Sequence, residues 1–401
     1  MNNTLFTNFQ SFRASLNGSF LDRSDVIDGL LTSLITKQNA FLFGPPGTGK
    51  SELVRAITGG FDGSKYFGYL LSPTTDPSEL YGPVAVSKLL KDEYTRDVSG
   101  YLPDCNVAFL DELFRGSSAV LNSLLQILNE RTFNNGKQAI DTEIQSIVAA
   151  TNSFPTEEAL QAFCDRFLFR PTITGLKSPT HKRTLMRWAV AQDNENSRPE
   201  VQSTLTYKDL VELQKQAAKT TVPDAFIDQF AEILDMLESR GISVSDRRRV
   251  QILSFMKGWA VVQGETEVHA AMLHQTLKHI IYTNPDEIED INEVVKQVVP
   301  TAEEFMAGVK RAAQNTMRRF ESTKQSINDR TASVGDLNRA VTEFGDMLRE
   351  LKLLNQKAEE ELDNGNLKFT AAARLKFTKI IRELDVNIST ITTTISRFKN
   401  D

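Results

Sequence analysis

Cysteine is scarce in this chain of 401 residues, which contains only Cys105 and Cys164. The two are not spaced as C-x-x-C, and neither has a histidine beside it. A free cysteine most often serves as a small buried hydrophobic residue, whereas metal sites and disulfide frameworks show recognisable spacings. We therefore expect both cysteines to be buried and neither to hold a metal or form a disulfide.

Histidine is also scarce, and its spacing disfavours a metal site. The four histidines are His181, His269, His274 and His279. The last three are five residues apart, which on a helix turns each side chain about 140° from the one before. A metal-binding pair on one helix needs a spacing of four, as in H-E-x-x-H. We expect packing or solvation for these residues.

Long apolar runs and an excess of basic charge are both lacking. No apolar segment approaches the ~20 residues that cross a bilayer, and the first ten residues lack the charged-then-apolar pattern of a signal peptide. We therefore expect a cytoplasmic protein. The net charge of −6 argues against a dedicated nucleic-acid binder, which usually carries a basic face. Net charge averages over the whole chain, however, and leaves room for a local basic patch.

The chain is long enough for two or three domains, and its first region alternates helices with short apolar strands. This alternation over residues 1–175 predicts an α/β domain in which helices cover a parallel sheet. The strand candidates are Ala40–Phe43, 66–71, 107–110 and 147–150. Ligands of such sheets bind at the carboxyl ends of the strands, so the residues that follow the strands are the candidates for chemistry.

The strand signals stop in the second region, residues 178–295. Helical patterns take over, for example at Tyr207–Lys219, 224–240 and 247–262. These patterns predict a compact, all-helical second domain, joined to the first through residues 171–179.

Residues 300–401 are predicted to form a third, helical unit. Thr301 and Glu304 make a capping box, in which the hydroxyl and the carboxylate satisfy free N–H groups at a helix start. Apolar residues then recur at heptad spacing in two series, on either side of the turn-forming run 363–366. The first series is Val334, Leu337, Val341, Phe344, Leu348 and Leu351, and the second is Phe377, Ile381, Leu384, Ile388, Ile391, Ile395 and Phe398.

Two such series around a tight turn predict an antiparallel helical hairpin, a short coiled coil. A helix over 304–326 could pack along the hairpin as a third member. Its apolar residues are Phe305, Val309, Ala312 and Phe320.

The strongest motif lies directly after the first predicted strand. It matches G-x-x-x-x-G-K-[ST] at every position, with Gly44, Pro45, Pro46, Gly47, Thr48, Gly49, Lys50 and Ser51. The glycines let backbone N–H groups turn inward around a β-phosphate, and the start of the helix at 50–58 adds partial positive charge. Lys50 would neutralise the β- and γ-phosphates, and the Ser51 hydroxyl would ligate Mg²⁺. The sequence therefore predicts a P-loop that binds ATP and Mg²⁺.

Polar residues at the ends of two later strands complete the predicted site. The apolar segment 106–110 ends in Asp111 and Glu112, about sixty residues after Lys50. Asp111 would hold Mg²⁺ through its water shell, and Glu112 would orient the attacking water as general base. The strand at 147–150 leads to Asn152, which could hydrogen-bond the catalytic water or the γ-phosphate. The sequence thus predicts ATP hydrolysis.

These motifs, in this order, resemble the AAA+ superfamily and more narrowly its MoxR family, from about residue 18 to residue 295. Segments 110–115, 119–125 and 128–133 are similar to the MoxR signature around the acidic pair. Segments 73–83 and 100–103 look like the family's insertion within the second helix, and segment 244–248 looks like the sensor-2 motif of the RavA subgroup.

The resemblance implies further roles for single residues. Asn152 matches sensor 1, and Arg247 matches the sensor-2 arginine, which reaches the γ-phosphate of its own subunit. Arg166, in a D-R-F sequence, matches the arginine finger that acts on the ATP of the neighbouring subunit. Arg131 is a second candidate for that contact, and residues 21–26 would lie beside the adenine.

The resemblance also implies a function: a hexameric, chaperone-like machine that remodels a protein partner, for which it suggests a von Willebrand factor A (vWA) domain. The alternative is a nucleic-acid motor, but the insertion 72–97 is net acidic and disfavours DNA. A nucleotide-gated scaffold without useful hydrolysis is disfavoured because Glu112 is present. RavA-type proteins carry a further module that contains strands, whereas only helices are predicted after residue 300, so partners of that module do not carry over.

Overall fold

A computed structural model describes residues 3–152, 154–155, 160, 163–191, 197–328, 334–364 and 371–400. The chain forms two compact units. The first comprises Met1–Val268 with Gln275–Asn292, and the second comprises His269–His274 with Glu293–Asp401. The boundary predicted between the first two domains falls inside the first unit, and the three predicted domain limits stay predictions.

The described part of the chain alternates strands and helices up to β8 and is helical after it. The strands are β1 (Ala40–Phe43), β2 (Phe61–Asp62), β3 (Tyr66–Leu70), β4 (Val107–Asp111), β5 (Thr132–Asn135), β6 (Gln138–Asp141), β7 (Ser146–Thr151) and β8 (Leu205–Thr206). The helices up to the end of the α/β region are α1 (Asn3–Ser19), α2 (Ser24–Ile35), α3 (Lys50–Gly59), α4 (Pro77–Tyr81), α5 (Val86–Leu89), α6 (Ser118–Glu130) and α7 (Pro179–Val190). The later helices are α8 (Tyr207–Lys219), α9 (Asp224–Ser239), α10 (Asp246–Gln263), α11 (Leu273–Ile280), α12 (Ile288–Val298), α13 (Ala302–Asn328), α14 (Val334–Asn364) and α15 (Ala371–Asn400). Single 3-10 turns lie at Leu102–Asp104, Leu113–Arg115, Ala270–Met272 and Pro285–Glu287.

The core of the first unit is a four-stranded parallel sheet in the order β1-β7-β4-β3. Every residue of β1 and β7 is buried, as expected for strands covered on both faces. At the outer edge of β1 an extended segment continues the sheet, since the N–H of Phe41 donates to the oxygen of Phe169 at 2.8 Å and that of Phe43 to Pro171 at 3.1 Å. Because β1, β7 and β4 are parallel, the residues that follow them meet at one edge of the sheet.

This architecture confirms the predicted fold class, a parallel sheet covered by helices and followed by helical regions. The ends of the four predicted strands differ from the observed ones by at most one residue. Two pairings were not predicted: the antiparallel hairpin β5–β6 and the parallel pair β2–β8. The strand β8 corrects the expectation that residues 178–295 are entirely helical. Its two residues are too few to produce a periodic pattern.

The scarce residues are packed as the sequence suggested. Cys105 and Cys164 are both free and buried. His279 is partly buried edge-on against Phe169, with ring centroids 5.7 Å apart, and the loss of solvent around it lowers its pKa to about 3. Among the described residues no group of three or more histidine, cysteine or acidic side chains could hold a metal ion. Over the same residues no helix is long and apolar enough to cross a membrane.

The second unit contains a bundle of α13, α14 and α15. The predicted capping box is present at its start, where the N–H of Thr301 donates to the Glu304 carboxylate at 2.9 Å and the N–H of Glu304 donates to the Thr301 hydroxyl at 3.2 Å. Apolar residues from all three helices share one core. Its buried members are Met306, Val309, Ala313, Phe320, Ala340, Phe344, Met347, Leu351, Ala358, Phe377, Ile381, Leu384 and Ile391.

Of the predicted apolar residues whose side chains the structure describes, all but Ala312 and Val341 belong to this core or pack against it. Ala312 is exposed, and Ala313 is buried in its place. On a helix, the next residue on the face of Val309 can follow after three or four positions. Only the spacing of four, to Ala313, leaves a heptad spacing of seven to Phe320. The side chains of Val334, Leu337 and Phe398 lie outside the described residues. Of the predicted turn 363–366, residues 363 and 364 belong to α14, and the other two lie outside the described residues.

Candidate active site

The P-loop connects β1 to α3, and glycine is required in it for two different reasons. A Cβ on Gly44 would lie 2.2 Å from the carbonyl oxygen of Ile173, so no side chain fits where the loop leaves the sheet. Gly49, directly before α3, has a left-handed backbone with φ of 76°, which costs glycine nothing. The loop therefore bends sharply into the N-terminus of a ten-residue helix, where free backbone N–H groups favour an anion.

Lys50 is the first residue of α3, and its side chain is buried. Its Nζ donates hydrogen bonds to the carbonyl oxygens of Gly44 at 2.6 Å and Pro45 at 3.2 Å. Burial lowers the pKa of Lys50, and the carboxylates of Asp111 and Glu112 act in the opposite direction. The ammonium group thus lies inside the loop and within electrostatic range of both acids.

The acidic pair lies at the carboxyl end of β4. Asp111 is the last residue of the strand, and Glu112 adopts a left-handed backbone with φ of 52°, a strained conformation for a residue other than glycine. The Asn152 amide, which follows β7, donates to Glu112 Oε1 at 2.5 Å, and Arg115 Nε lies 3.6 Å from Oε2. The Glu112 carboxylate is therefore held in one orientation from two sides.

A cavity of about 620 Å³ lies beside Gly47, Thr48 and Gly49, within the ~300–1,000 Å³ usual for small-molecule sites. Its walls come from the turn between α1 and α2 and from α7, and they are largely apolar. The apolar side chains that line it are Phe20, Leu21, Leu176, Leu185, Met186 and Trp188. Of the segment 21–26, which was predicted to lie beside an adenine, Leu21 and Arg23 line this cavity.

Two contacts that sequence reasoning missed hold the cavity walls. His181 Nδ1, on α7, lies 2.5 Å from Asp22 Oδ1, and this hydrogen bond is the main reason why the pKa of Asp22 is lowered. The Arg198 guanidinium lies over the ring of Phe20, 4.3 Å from its centroid, and pairs with the Glu52 carboxylate on α3. No short motif contains these pairs, since each joins residues more than 140 positions apart.

The residues brought together fit a nucleoside triphosphate with a divalent cation. The helix N-terminus and Lys50 supply positive charge beside the apolar cavity, which suits a phosphate chain attached to a planar base. Ser51 is exposed in the first turn of α3, and its hydroxyl and the Asp111 carboxylate are oxygen ligands of the kind that Mg²⁺ prefers. The assignments of these residues stay predictions, but the described geometry is compatible with each of them.

The sensor-2 segment differs from the expected arrangement. Arg247 is exposed on the first turn of α10, and it is not among the described residues that line the cavity. Its neighbour Arg248 is buried, where its guanidinium pairs with the Asp165 carboxylate and donates to the oxygen of Ile280 at 2.9 Å. The role of Arg247 stays a prediction. Arg248 is the last residue of the recognised segment 244–248, but sequence reasoning gave it no role.

Both candidates for the arginine finger are attached to Asn39, the residue before β1. Asn39 Nδ2 donates to the backbone oxygen of Arg166 at 3.2 Å, and Arg131 Nη2 donates to Asn39 Oδ1 at 2.6 Å. Since β1 has four residues at about 3.3 Å each, roughly 13 Å separates Asn39 from the P-loop at its other end. Burial lowers the pKa of Arg131 to about 10, and its guanidinium is held within the chain. Arg131 is therefore poorly placed for a contact with another subunit.

Comparisons with known proteins show the family of this chain. The family model described as "MoxR domain in the MoxR-vWA-beta-propeller ternary systems" matches residues 7–215, and the model of an AAA lid domain matches residues 224–295. This chain belongs to the MoxR family of AAA+ ATPases. The matches do not confirm the RavA subgroup that segment 244–248 suggested.

Sequences similar to this chain include those of two uncharacterized proteins of Methanocaldococcus jannaschii. One is 34% identical over 71% of this chain and 74% of its own length, and the other is 33% identical over 71% and 73%. A structural protein of Acidianus two-tailed virus is 29% identical over 56% of this chain and 37% of its own length. Among solved structures, that of a putative ATPase from Cytophaga hutchinsonii covers 74% of this chain and 94% of its own, with a TM-score of 0.61. At 17% identity this likeness shows the fold of the MoxR-family chain and nothing more.

Proposed function

We propose that the chain hydrolyses Mg·ATP and works as a subunit of a hexameric ring that remodels a protein partner. The observation that carries the proposal is the Glu112 carboxylate, which Asn152 and Arg115 hold at the carboxyl end of β4 within electrostatic range of Lys50. A binding protein has no need of a fixed carboxylate in a strained backbone at this position, whereas a hydrolase needs a base that orients water.

Each predicted residue has one task in this mechanism. The backbone N–H groups of 47–50 and the Lys50 ammonium bind the β- and γ-phosphates, and Ser51 and Asp111 hold the cation, Asp111 through water. Bound Mg²⁺ neutralises charge on the phosphates. Glu112 orients a water molecule and accepts its proton, and Asn152 keeps that carboxylate in place.

We infer a ring because the P-loop site of a single chain lacks the positive charge that an arginine finger supplies to the γ-phosphate. Transfer of a γ-phosphoryl group is accelerated roughly 10³–10⁵-fold by an arginine finger. Arg166 is attached at the end of β1 remote from its own P-loop, so we assign it to the ATP of the next subunit. Hydrolysis then depends on assembly, and each turnover moves one subunit against its neighbour.

A protein partner is favoured over nucleic acid by the segment between β3 and β4. Its tip exposes apolar side chains at Val86, Leu89 and Leu90, the last with 83% of its surface exposed. Residues 72–97 contain three basic and five acidic side chains, and a phosphate backbone would require a basic surface. An apolar tip in an acidic segment suits a polypeptide, and the description of the matched family model suggests a vWA-domain protein.

The proposed remodelling function can be tested by trapping the partner on a variant that does not hydrolyse ATP. Tagged Glu112→Gln protein, purified with ATP, is expected to retain a protein partner, because a ring that binds ATP without hydrolysing it stays in its substrate-bound state. Lys50→Ala, the matched control, is expected to retain none, since it binds ATP poorly. Leu90→Ser in the Glu112→Gln background is expected to reduce the retained partner while leaving nucleotide binding unchanged. Recovery of nucleic acid in place of protein, sensitive to nuclease, would favour the motor.

Removing the bundle of α13, α14 and α15 separates its two alternative roles. A chain that ends at residue 300 is expected to keep its basal ATPase rate and its ring, because every residue assigned to ATP chemistry precedes Arg248 and the buried bundle core begins only at Met306. We expect this fragment to lose the trapped partner, as befits an adaptor. Light scattering and an ATPase assay decide the matter: inactive monomers would mean that the bundle is an assembly element.

A further inference from the structure

Arg248 and Arg170 are two buried arginines that attach the segment 165–173 to the later helices of the first unit. Arg170 is fully buried, its guanidinium pairs with the backbone oxygen of Tyr282, and its backbone N–H donates to the oxygen of His279 at 2.7 Å. Arg248, on α10, reaches the start of the same segment, at Asp165. The contacts come from two places along the chain, α10 and residues 279–282, and converge on one extended segment.

The segment itself connects the nucleotide cavity to the predicted finger. Directly after its end, Gly175 and Leu176 line the cavity, and Arg23 donates to the oxygen of Thr174 at 2.8 Å. At its start lies Arg166, and between the two the backbone runs beside β1. A shift of this segment along β1 would therefore move both ends.

The ion pair at the start of the segment is unequal in burial. The Arg248 side chain is 5% exposed, whereas Asp165 is 53% exposed. Burial and the neighbouring Arg170 lower the pKa of Arg248 to about 9, so it stays charged at neutral pH. The Asp165 carboxylate acts on both of these cations, and the Glu287 carboxylate also acts on Arg170. Removing the partner of a buried charge is strongly unfavourable, so the pair holds Asp165, and with it the next residue, in one place.

We propose that Arg248 and Asp165 are positioning residues for the finger Arg166. Although Arg248 belongs to the region that matches the lid, it acts on hydrolysis in the neighbouring subunit and not on the nucleotide bound by its own. The inference rests on the proposed trans role of Arg166. It assigns the two adjacent arginines of α10 to different sites, Arg247 to the subunit's own ATP and Arg248 to that of its neighbour.

Asp165→Asn tests the proposal, because it removes the charge at a half-exposed position and keeps the shape. We expect unchanged affinity for a fluorescent ADP analogue and an ATPase rate lowered at least ~10-fold, since a misplacement of 1 Å can cost about 100-fold. Asp165→Glu, which keeps the carboxylate, is expected to restore most of the rate. Arg249→Ala is the matched control: Arg249 pairs with Asp246 within its own helical turn at 3.7 Å, and its loss should leave the rate unchanged.

The ATPase rate of a mixture of Asp165→Asn and Lys50→Ala subunits distinguishes a positioning role from a merely structural one. Equal amounts of Asp165→Asn and Lys50→Ala subunits are expected to recover activity, as a mixture of Arg166→Ala and Lys50→Ala does. Arg248→Lys, which keeps the cation, serves as a second variant and should lose less activity than Arg248→Met. If the Arg166→Ala mixture recovers and the Asp165→Asn mixture does not, the positioning role is wrong while the proposed function stands. Wild-type activity of Asp165→Asn would overturn it as well, and so would failure of both mixtures, which would also contradict the trans finger.

Discussion

Arg166→Ala is expected to bind ATP with unchanged affinity and to hydrolyse it at least ~1,000-fold more slowly, the lower end of the effect of an arginine finger. Its backbone oxygen is attached to Asn39 at the remote end of β1, so its loss leaves the P-loop of the same chain intact. The negative charge that it stabilises develops only in the transition state, and for that reason the rate falls while binding does not. Nucleotide titration and a phosphate-release assay on the same preparation measure the two quantities.

A matched control for this variant is Arg382→Ala, which removes an exposed arginine from α15 and should change neither quantity. A loss of ATP affinity in Arg166→Ala comparable to the loss in rate would place Arg166 at the site of its own chain. Light scattering must show that the variant still assembles, since a dissociated ring would be inactive for a different reason.

Glu112→Gln is expected to bind ATP normally and to hydrolyse it at least ~100-fold more slowly, as expected for the loss of a general base. The amide keeps an oxygen that can accept the hydrogen bond from Asn152, which spans 2.5 Å in the native chain, so the side chain should stay in place without its basicity. Stopped assays over minutes, with radiolabelled ATP, measure the residual rate. Near-normal turnover would mean that Asp111 and Glu112 are misassigned.

Two further variants serve as controls for Glu112→Gln. Lys50→Ala is expected to lose ATP binding, because the ammonium group that lies inside the loop neutralises the β- and γ-phosphates. Glu130→Gln changes an exposed glutamate at the end of α6 and should leave binding and rate unchanged. Together they separate loss of binding, loss of the base and loss of an ordinary surface charge.

The sequence was sufficient to predict those parts of the fold and of the site that a single contiguous segment determines. The apolar strands β1, β4 and β7 and the residues that follow them are local patterns, and parallel pairing then brings Lys50, Asp111 and Asn152 to one edge of the sheet. The order of the strands in the sheet could not be predicted from such local patterns. That β7 lies between β1 and β4, which places Asn152 beside Glu112, depends on packing between distant segments.

The features that the sequence did not predict depend on contacts between distant residues, on very short elements, or on a choice between two equally suitable positions. The pairs Asp22–His181 and Asp165–Arg248 join distant residues and leave no spacing to recognise. The strand β8 has two residues, too few for a pattern. The choice between Ala312 and Ala313 rested on a helical step of three or four, and only packing against the other two helices decides between them.

The central claim is that each ATP site is completed by two chains, and mixing Arg166→Ala with Lys50→Ala subunits tests it most directly. Neither variant alone is expected to hydrolyse ATP appreciably. In a ring with heterologous interfaces, equal random mixing places an intact P-loop against an intact finger at about one quarter of the sites. The account predicts recovery of that order in phosphate release, at a ratio that depends on the proportions mixed. No recovery, with subunit exchange demonstrated by fluorescence transfer between labelled chains, would contradict it.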